Sequence, residues 1–496
     1  MTAFWRAAIF AALLPFAAAA QDVTLTSRDG SLAIPGLLQG YDGEFFRIAS
    51  PYGLLTIDAT GVICDGPACP DLTAPKAVIR LVGEADAGRA LMPGLIEAFA
   101  LSRGLHYTAP RAPEAPAILT DAATDKVLAE ISFQPLPAAA ARAALKEGRA
   151  ELMLASVPET EFGSTALALD ALLPIVAPDN PLPKISTVDL AKALAGEVKN
   201  WREIGGPDMP LVLHGLAPDS DLERALSNRL GRSNAASVSH PDLASLAEAV
   251  AKDPFALAIT GRARTGKARA LPLTDSCGFP LLPSPLAVKA EDYPLTLPLY
   301  LLTPRRRLPL MAREFLDFLA LPAAQSAIAA GGYIDRSPER QPMTADGLRL
   351  INAIKGAGEE TTLADLKRLV TLMEGADRLS LTFRFQDGSD ALDATSQENL
   401  NDLARLIEVG FFRDTALILA GFSDGSGNAT ANLDLSRKRA EAVLARLQSL
   451  APVESALPRI EAFGEALPMA CDETAAGRRL NRRVELWLKP DFTPAP

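Results

Sequence analysis

The sequence predicts a multidomain chain of mixed α/β and α+β class: a small N-terminal β module, a larger domain of alternating strands and helices, and a C-terminal βαβαβ domain. Three observations predict it. The chain has 496 residues, 48% of them hydrophobic, which gives room for about three domains, each with a buried core. Short β-prone runs separated by turns fill the stretch before Pro75, and strands alternate with amphipathic helices after it. Near the C-terminus, strand-forming Thr415, Leu417, Ile418 and Leu419 run into a Gly-rich turn. A helix follows, with Ala440, Val443, Leu444 and Leu447 at helical spacing.

Taken in order, Met1 to Ala20 carries Arg6, the apolar run Ala7 to Leu14 and small residues ending Ala18-Ala19-Ala20 before Gln21. This pattern predicts a signal peptide over residues 1–20 with an A-x-A cleavage site, so the protein is expected in the periplasm. With Gln21 in place of Cys a lipid-anchored form is not indicated, and no later stretch reaches the roughly 18 apolar residues of a membrane span. Residues 22–75 alternate Val23 to Leu25, Glu44 to Ile48 and Leu54 to Ile57 with turns at Asp29-Gly30, Asp42-Gly43 and Pro51-Tyr52-Gly53, the spacing of a β-meander. Cys64 and Cys69 enclose four residues, and in an exported chain they predict a disulfide contributing roughly 2 kcal/mol. Residues 76–337 form the alternating domain, opening on Val78 to Val82, a Gly turn and the amphipathic Leu91 to Leu101. The Pro- and Arg-rich Asp335 to Met343 reads as a linker. A helical connector over 338–377 follows, with helices at Leu348 to Ile354 and Leu363 to Met373. The last domain, 378–489, is read as strand Leu379 to Phe385, helix Thr395 to Glu408, strand, helix, and strand Arg483 to Leu488. Cys277 and Cys471 fall in different domains, and spacing leaves open whether they pair.

The C-terminal motifs are the most specific. Ser423-Asp424 with Gly427 is followed by Asn432, Leu435-Ser436 and Arg439-Ala440, then by Gly477-Arg478 and Asn481 to Glu485. A loop carboxylate and a helix-held guanidinium can meet the opposite charges of a zwitterion. The stretch from about Arg378 to Lys489 resembles the OmpA-like peptidoglycan-binding domain. The resemblance implies that Asp424 and Arg439 bind the diaminopimelate of the stem peptide, with Ser423 and Asn432 in the same site. Ser423 stands where that family usually has Thr.

In the middle domain, Gly83 to Ala100, Asp170 to Gly206 and Glu291 to Leu302 resemble the periplasmic phosphate-binding proteins of ABC transporters. That resemblance implies a two-lobed α/β fold with a ligand cleft between the lobes. The residues expected to bind phosphate are mostly replaced. The first loop reads Gly83-Glu84-Ala85-Asp86, the second Ala155-Ser156-Val157, and the third Asp219-Ser220-Asp221-Leu222, with Leu216 where an Arg belongs. Candidate cleft residues are therefore Glu84, Asp86, Ser156, Ser220 and Asp221. Carboxylates about 4 Å from a phosphate would each repel it by roughly 4 kcal/mol at an effective dielectric of 20. The site is expected to be degenerate, with solvated loop acids or, alternatively, a cationic small ligand among Glu84, Asp86, Asp219 and Asp221.

Other classes are disfavoured. A formal net charge of −11 argues against nucleic acid and anionic membranes, and Arg305-Arg306-Arg307 reads as a solvated turn. Gly421 to Gly425 matches the nucleophile elbow G-x-S-x-G, yet His106, His214 and His240 all precede it. Gly261 to Lys267 begins a P-loop pattern, but Ala268 replaces the hydroxyl residue and Pro272 interrupts the helix; it reads as a basic hairpin. The His and Cys residues lack metal-ligand spacing, so no metal and no cofactor is expected. The reading is a non-catalytic envelope protein tethered to the cell wall, with outer-membrane association as an alternative placement. The alternatives are a solute receptor for an ABC transporter or signalling partner and, third, a cell-wall enzyme using an acidic pair.

Overall fold

A computed structural model describes residues 23–41, 44–69, 76–356, 360–386, 389, 391–413, 415–450 and 457–490. The leader over residues 1–20, the Asp42-Gly43 turn and the boundary at Pro75 lie outside the described residues.

The N-terminal strands β1 (Val23–Ser27), β2 (Ala33–Tyr41), β3 (Phe45–Ser50), β4 (Gly53–Asp58) and β5 (Val62–Asp65) form one sheet in the order β4-β3-β2-β1-β5. Alternation buries Val23, Leu25, Phe46, Ile48 and Val62 on one face. So small a core benefits from a covalent tie, and Cys64 and Cys69 are joined over a Cα separation of 5.8 Å. The module meets the next domain through Glu44, which receives Arg313 at 2.5 Å, and through Phe45, under the guanidinium of Arg307.

The middle domain runs β6 (Ala77–Gly83), α1 (Ala85–Ser102), β7 (Leu105–Thr108), β8 (Ala117–Asp121), β9 (Val127–Pro135), α2 (Ala138–Lys146), β10 (Leu152–Ala155) and β11 (Gly163–Val176). It continues with β12 (Ile185–Ser186), α3 (Thr187–Leu194), β13 (Val212–Leu216), α4 (Asp221–Leu230), β14 (Val238–His240), α5 (Leu243–Lys252) and β15 (Ala256–Gly261). Short β16 (Arg269–Ala270), β17 (Leu273–Thr274) and β18 (Pro280–Leu281) precede α6 (Pro285–Lys289), β19 (Thr296–Thr303), α7 (Leu310–Phe318) and α8 (Pro322–Ala330). The large mixed sheet has the order β14-β13-β15-β11-β19-β10-β6-β9-β8-β7. Three hydrophobic cores flank it, one of them under α2. Leu167 and Ala168 of β11 belong to the one under α1, and Leu169 to Val176 to the one among α3, α4 and α5. The long antiparallel pair β11 and β19 thus carries the chain between two lobes.

The C-terminal domain contains β20 (Arg340–Pro342), α9 (Gly347–Gly356), α10 (Leu363–Met373), β21 (Asp377–Arg384), α11 (Ala394–Glu408), β22 (Thr415–Phe422), α12 (Ala429–Leu450), β23 (Arg459–Ala462), α13 (Ala475–Asn481) and β24 (Arg483–Pro490). Its sheet order is β20-β21-β24-β22-β23, with β22 and β23 parallel. Both faces of β22 are apolar. Leu417 and Leu419 pack under α11 and α12, while Ile418, Ala420 and Phe422 pack under α10. A strand buried on both sides needs a cover on both, and the helices expected as a connector supply the second one. The expected linker is likewise structured: Arg340 to Pro342 pair with β21 at the sheet edge, where the missing Pro N–H is tolerated. Strand β23 and helix α13 add to the expected βαβαβ pattern.

Middle and C-terminal domains dock through buried charge. Asp292 receives Arg378 at 2.7 Å and Arg384 at 2.8 Å, all three nearly inaccessible. The structure also joins Cys277 to Cys471, and the Cys471 amide donates to Asp275 Oδ2 at 2.9 Å. The arginine triplet is more than a solvated turn. Arg305 donates to the carbonyls of Glu161 and Thr160, Arg306 to that of Ala150, and Arg307 reaches the β module. Within Gly261 to Lys267, Gly261 ends β15 and Arg262–Arg264 form a 3₁₀ turn, rather than a hairpin.

Candidate functional site

Gly421 is the penultimate residue of strand β22, where a Cβ would run into the Ser436 carbonyl of α12; only Gly permits this approach. The turn that follows presents Asp424, buried to 8% exposure. Its Oδ1 accepts from Ser426 N at 3.0 Å and its Oδ2 from Arg482 at 3.0 Å. Arg439, one residue before Ala440 on α12, lies over the Phe385 ring with its guanidinium carbon 5.8 Å from the centroid. Ser423 and Asn432 are both 3% exposed. Asn432 donates to Glu465 Oε2 at 3.2 Å, so it ties α12 to the 463–466 loop rather than facing solvent. Ser423 Oγ has no hydrogen-bond partner among the described residues.

The second motif mostly builds the scaffold of this turn. Asn481 Oδ1 accepts from the amides of Met469 and Ala470, its amide donates to Asp472, and Asp472 in turn accepts from Gly425 N at 2.8 Å. Arg483 and Glu485 point into the interior at 2.7 Å from each other, with Arg349 2.7 Å and Arg378 3.4 Å from the same carboxylate. Burial works against the Glu485 charge, yet Arg349, Arg378 and Arg483 outweigh it and hold the carboxyl well below its usual range. Burial pushes Arg483 down to about 10. Arg482, the residue that occupies Asp424, was not singled out by the sequence reading, although it stands inside the motif.

In the cleft, the structure gathers Glu84, Asp86, Ser156 and Asp221 around a cavity of about 30 Å³, which holds about one water. Glu84 caps α1, accepting from Asp86 N at 3.0 Å and Ala87 N at 2.5 Å. These are the helix N-terminal amides that an anion would use, so the chain's own carboxyl fills that role. Ser220 caps α4, accepting from Glu223 N, and Ser156 donates to the Asp221 carbonyl at 3.3 Å. Both hydroxyls that could have served a ligand are engaged. Asp219 is exposed and takes no part in the cavity wall, against the four-acid grouping considered from sequence. Asp170 of β11 takes its place, accepting from the amides of Ala171 and Arg262. Burial pushes Glu84 and Asp170 up to about 7 and Asp221 to about 6. Arg264 reaches the Asp86 carbonyl at 3.5 Å.

His214 and His240, far apart in sequence, meet on neighbouring parallel strands with Nδ1 and Nε2 3.0 Å apart; Asp253 lies 3.3 Å from His214 Nε2. Among the described residues no helix is long and apolar enough to cross a membrane.

Residues 384–482 match the OmpA family model, and residues 118–323 match that of a PBP superfamily domain. The probable lipoprotein YiaD of Escherichia coli is 31% identical over 106 residues, covering 21% of this chain and 47% of that protein. The phosphate-binding protein PstS of Borreliella burgdorferi is 44% identical over 52 residues, covering 10% of this chain and 19% of that protein. The chain therefore spans less than half the length of these curated relatives. Among solved structures, an ABC-type phosphate transport receptor from Vibrio cholerae aligns over 52% of this chain and 99% of its own, with 18% identity and a TM-score of 0.41. The chain thus carries a binding-protein-like domain followed by an OmpA-family domain.

Proposed function

We propose that this chain, a binding-protein-like domain joined to an OmpA-family domain, is a non-catalytic periplasmic protein tethered to peptidoglycan, and that its cleft no longer binds phosphate. The observation that carries the tethering is the Asp424 turn. Its carboxylate is held in place at the tip of β22 by Arg482 and Ser426, beside the helix that carries Arg439. A stem-peptide ammonium exchanges with Arg482 at Asp424, and its carboxylate takes Arg439, each charge-assisted bond contributing roughly 1.5 to 3 kcal/mol. Muropeptide pull-down should retain the wild-type protein and lose Asp424→Ala and Arg439→Ala; equal retention of all three would rule the site out.

The loss of phosphate binding is supported by Glu84 on the α1 amides and by the carboxyls of Asp86, Asp170 and Asp221 around a cavity the size of one water. Isothermal titration should detect no phosphate binding at neutral pH, and micromolar affinity would overturn this part. The retained pair of lobes supports a second reading, a solute receptor for a transporter or signalling partner. Saturable binding in a screen of amines, metals and oxyanions, abolished by a cleft substitution, would favour it.

A further inference from the structure

A cavity of about 540 Å³ opens between the second lobe and the OmpA-family domain, with Arg229 and Glu291 on one wall and Arg384 and Arg479 on the other. Its volume falls within the roughly 300 to 1,000 Å³ of small-molecule sites. Neither domain alone encloses it, and neither Asp424 nor Arg439 lines it, so the inference is independent of wall binding.

Three guanidiniums and one carboxyl line the cavity. Arg229 donates to the carbonyls of Pro294 and Thr296, both neutral acceptors. Burial, and then the like charge of Arg479, push its pKa down against the pull of Glu291. Arg384 gives two arms to Asp292 and the Ala290 carbonyl, while its Nε–H, in a side chain 3% exposed, finds no acceptor among the described residues. Arg479 lies 3.8 Å from Asp393. Burial and the nearby Asp393 push the pKa of the Glu291 carboxyl up, against the pull of Arg384 and Arg229. The Glu291 backbone sits at φ +55, a left-handed conformation that a residue with a Cβ adopts at a cost and that gathers at binding sites. The remaining walls include Leu190, Leu194, Leu295 and Leu480.

We infer that this cavity binds an amphipathic organic anion, its acidic head among Arg229, Arg384 and Arg479 and its apolar body against the leucines. The head would accept from the Arg384 Nε–H and add an anion to a lining of three guanidiniums and one carboxyl, and burying the tail would supply the apolar transfer energy. Because both domains contribute walls, the ligand would bridge them.

The test is isothermal titration of the oxidised full-length protein with decanoate, decanol and decyltrimethylammonium, each below its micellar concentration. Decanoate should bind saturably at one site, and the cationic analogue at least about tenfold more weakly. Arg479→Glu, at a half-exposed position, should weaken decanoate at least about tenfold with an unchanged melting temperature, and Leu190→Trp should block it by filling the cavity. No saturable decanoate binding to about 1 mM, equal affinity for the cation, or binding indifferent to both substitutions would overturn the inference.

Discussion

Glu485 and Asp170 are both carboxyls buried within a sheet, yet their surroundings push their pKa values in opposite directions. Glu485, with no exposed surface, meets three guanidiniums and accepts from Trp487 Nε1 at 2.9 Å. It stays ionised. Asp170, 5% exposed, accepts two backbone amides, and burial pushes it to about 7. Desolvation opposes both charges equally in kind; the difference lies in the cations that accompany them. The C-terminal sheet keeps its charges by compensation and extends them through Arg378 and Arg384 to Asp292 of the neighbouring domain. The cleft instead keeps carboxyls by partial protonation, an arrangement that repels an incoming anion more as they ionise.

The largest expected effect comes from removing the compensated charge. Glu485→Gln leaves Arg349, Arg378 and Arg483 facing one another in the interior, and urea unfolding should lose about 3 to 5 kcal/mol. A loss under about 1 kcal/mol would break the comparison.

Asp170 should give the next largest effect, with a pH signature. Its folded pKa lies above its unfolded value of 3.8, so its stabilisation is complete below that value and is lost as pH rises through 7. Between pH 5 and 8 this group should cost the folded state about 3 kcal/mol. Asp170→Asn should flatten that slope and raise stability at pH 8, as read from denaturation curves at both pH values. An unchanged slope would mean that Asp170 is ionised throughout.

Arg264→Ala should produce the smallest change, about 1 kcal/mol or less, because its hydrogen bond to the Asp86 carbonyl is long. A larger loss would make Arg264 a true counter-ion and bring the cleft closer to the C-terminal pattern.

Much of the candidate site was legible in the motifs. Asp424, Arg439 and the loop acids Glu84 and Asp86 stand out because turns and helix starts follow local rules of spacing and capping. Asp170 was not legible, since an acid in the middle of a long strand reads the same whether it faces solvent or a cleft. The His214 and His240 pair was equally hidden, because 26 residues separate two histidines that meet only when β13 and β14 pair. Leu348 to Ile354 and Leu363 to Met373 were legible as helices, but not as the second cover of the C-terminal sheet. That role depends on the apolar second face of β22.

By itself the sequence determined the three-part architecture, the helix and strand periodicities, the short Cys64 to Cys69 loop and the residue types at each turn. These depend on neighbours a few positions apart. The tertiary structure decided which charges are compensated, that Arg482 occupies Asp424, that Glu84 fills the α1 amides, and that Cys277 reaches Cys471 across 194 positions. Ion pairing and desolvation act through space and depend on burial, and burial is set only when distant segments pack.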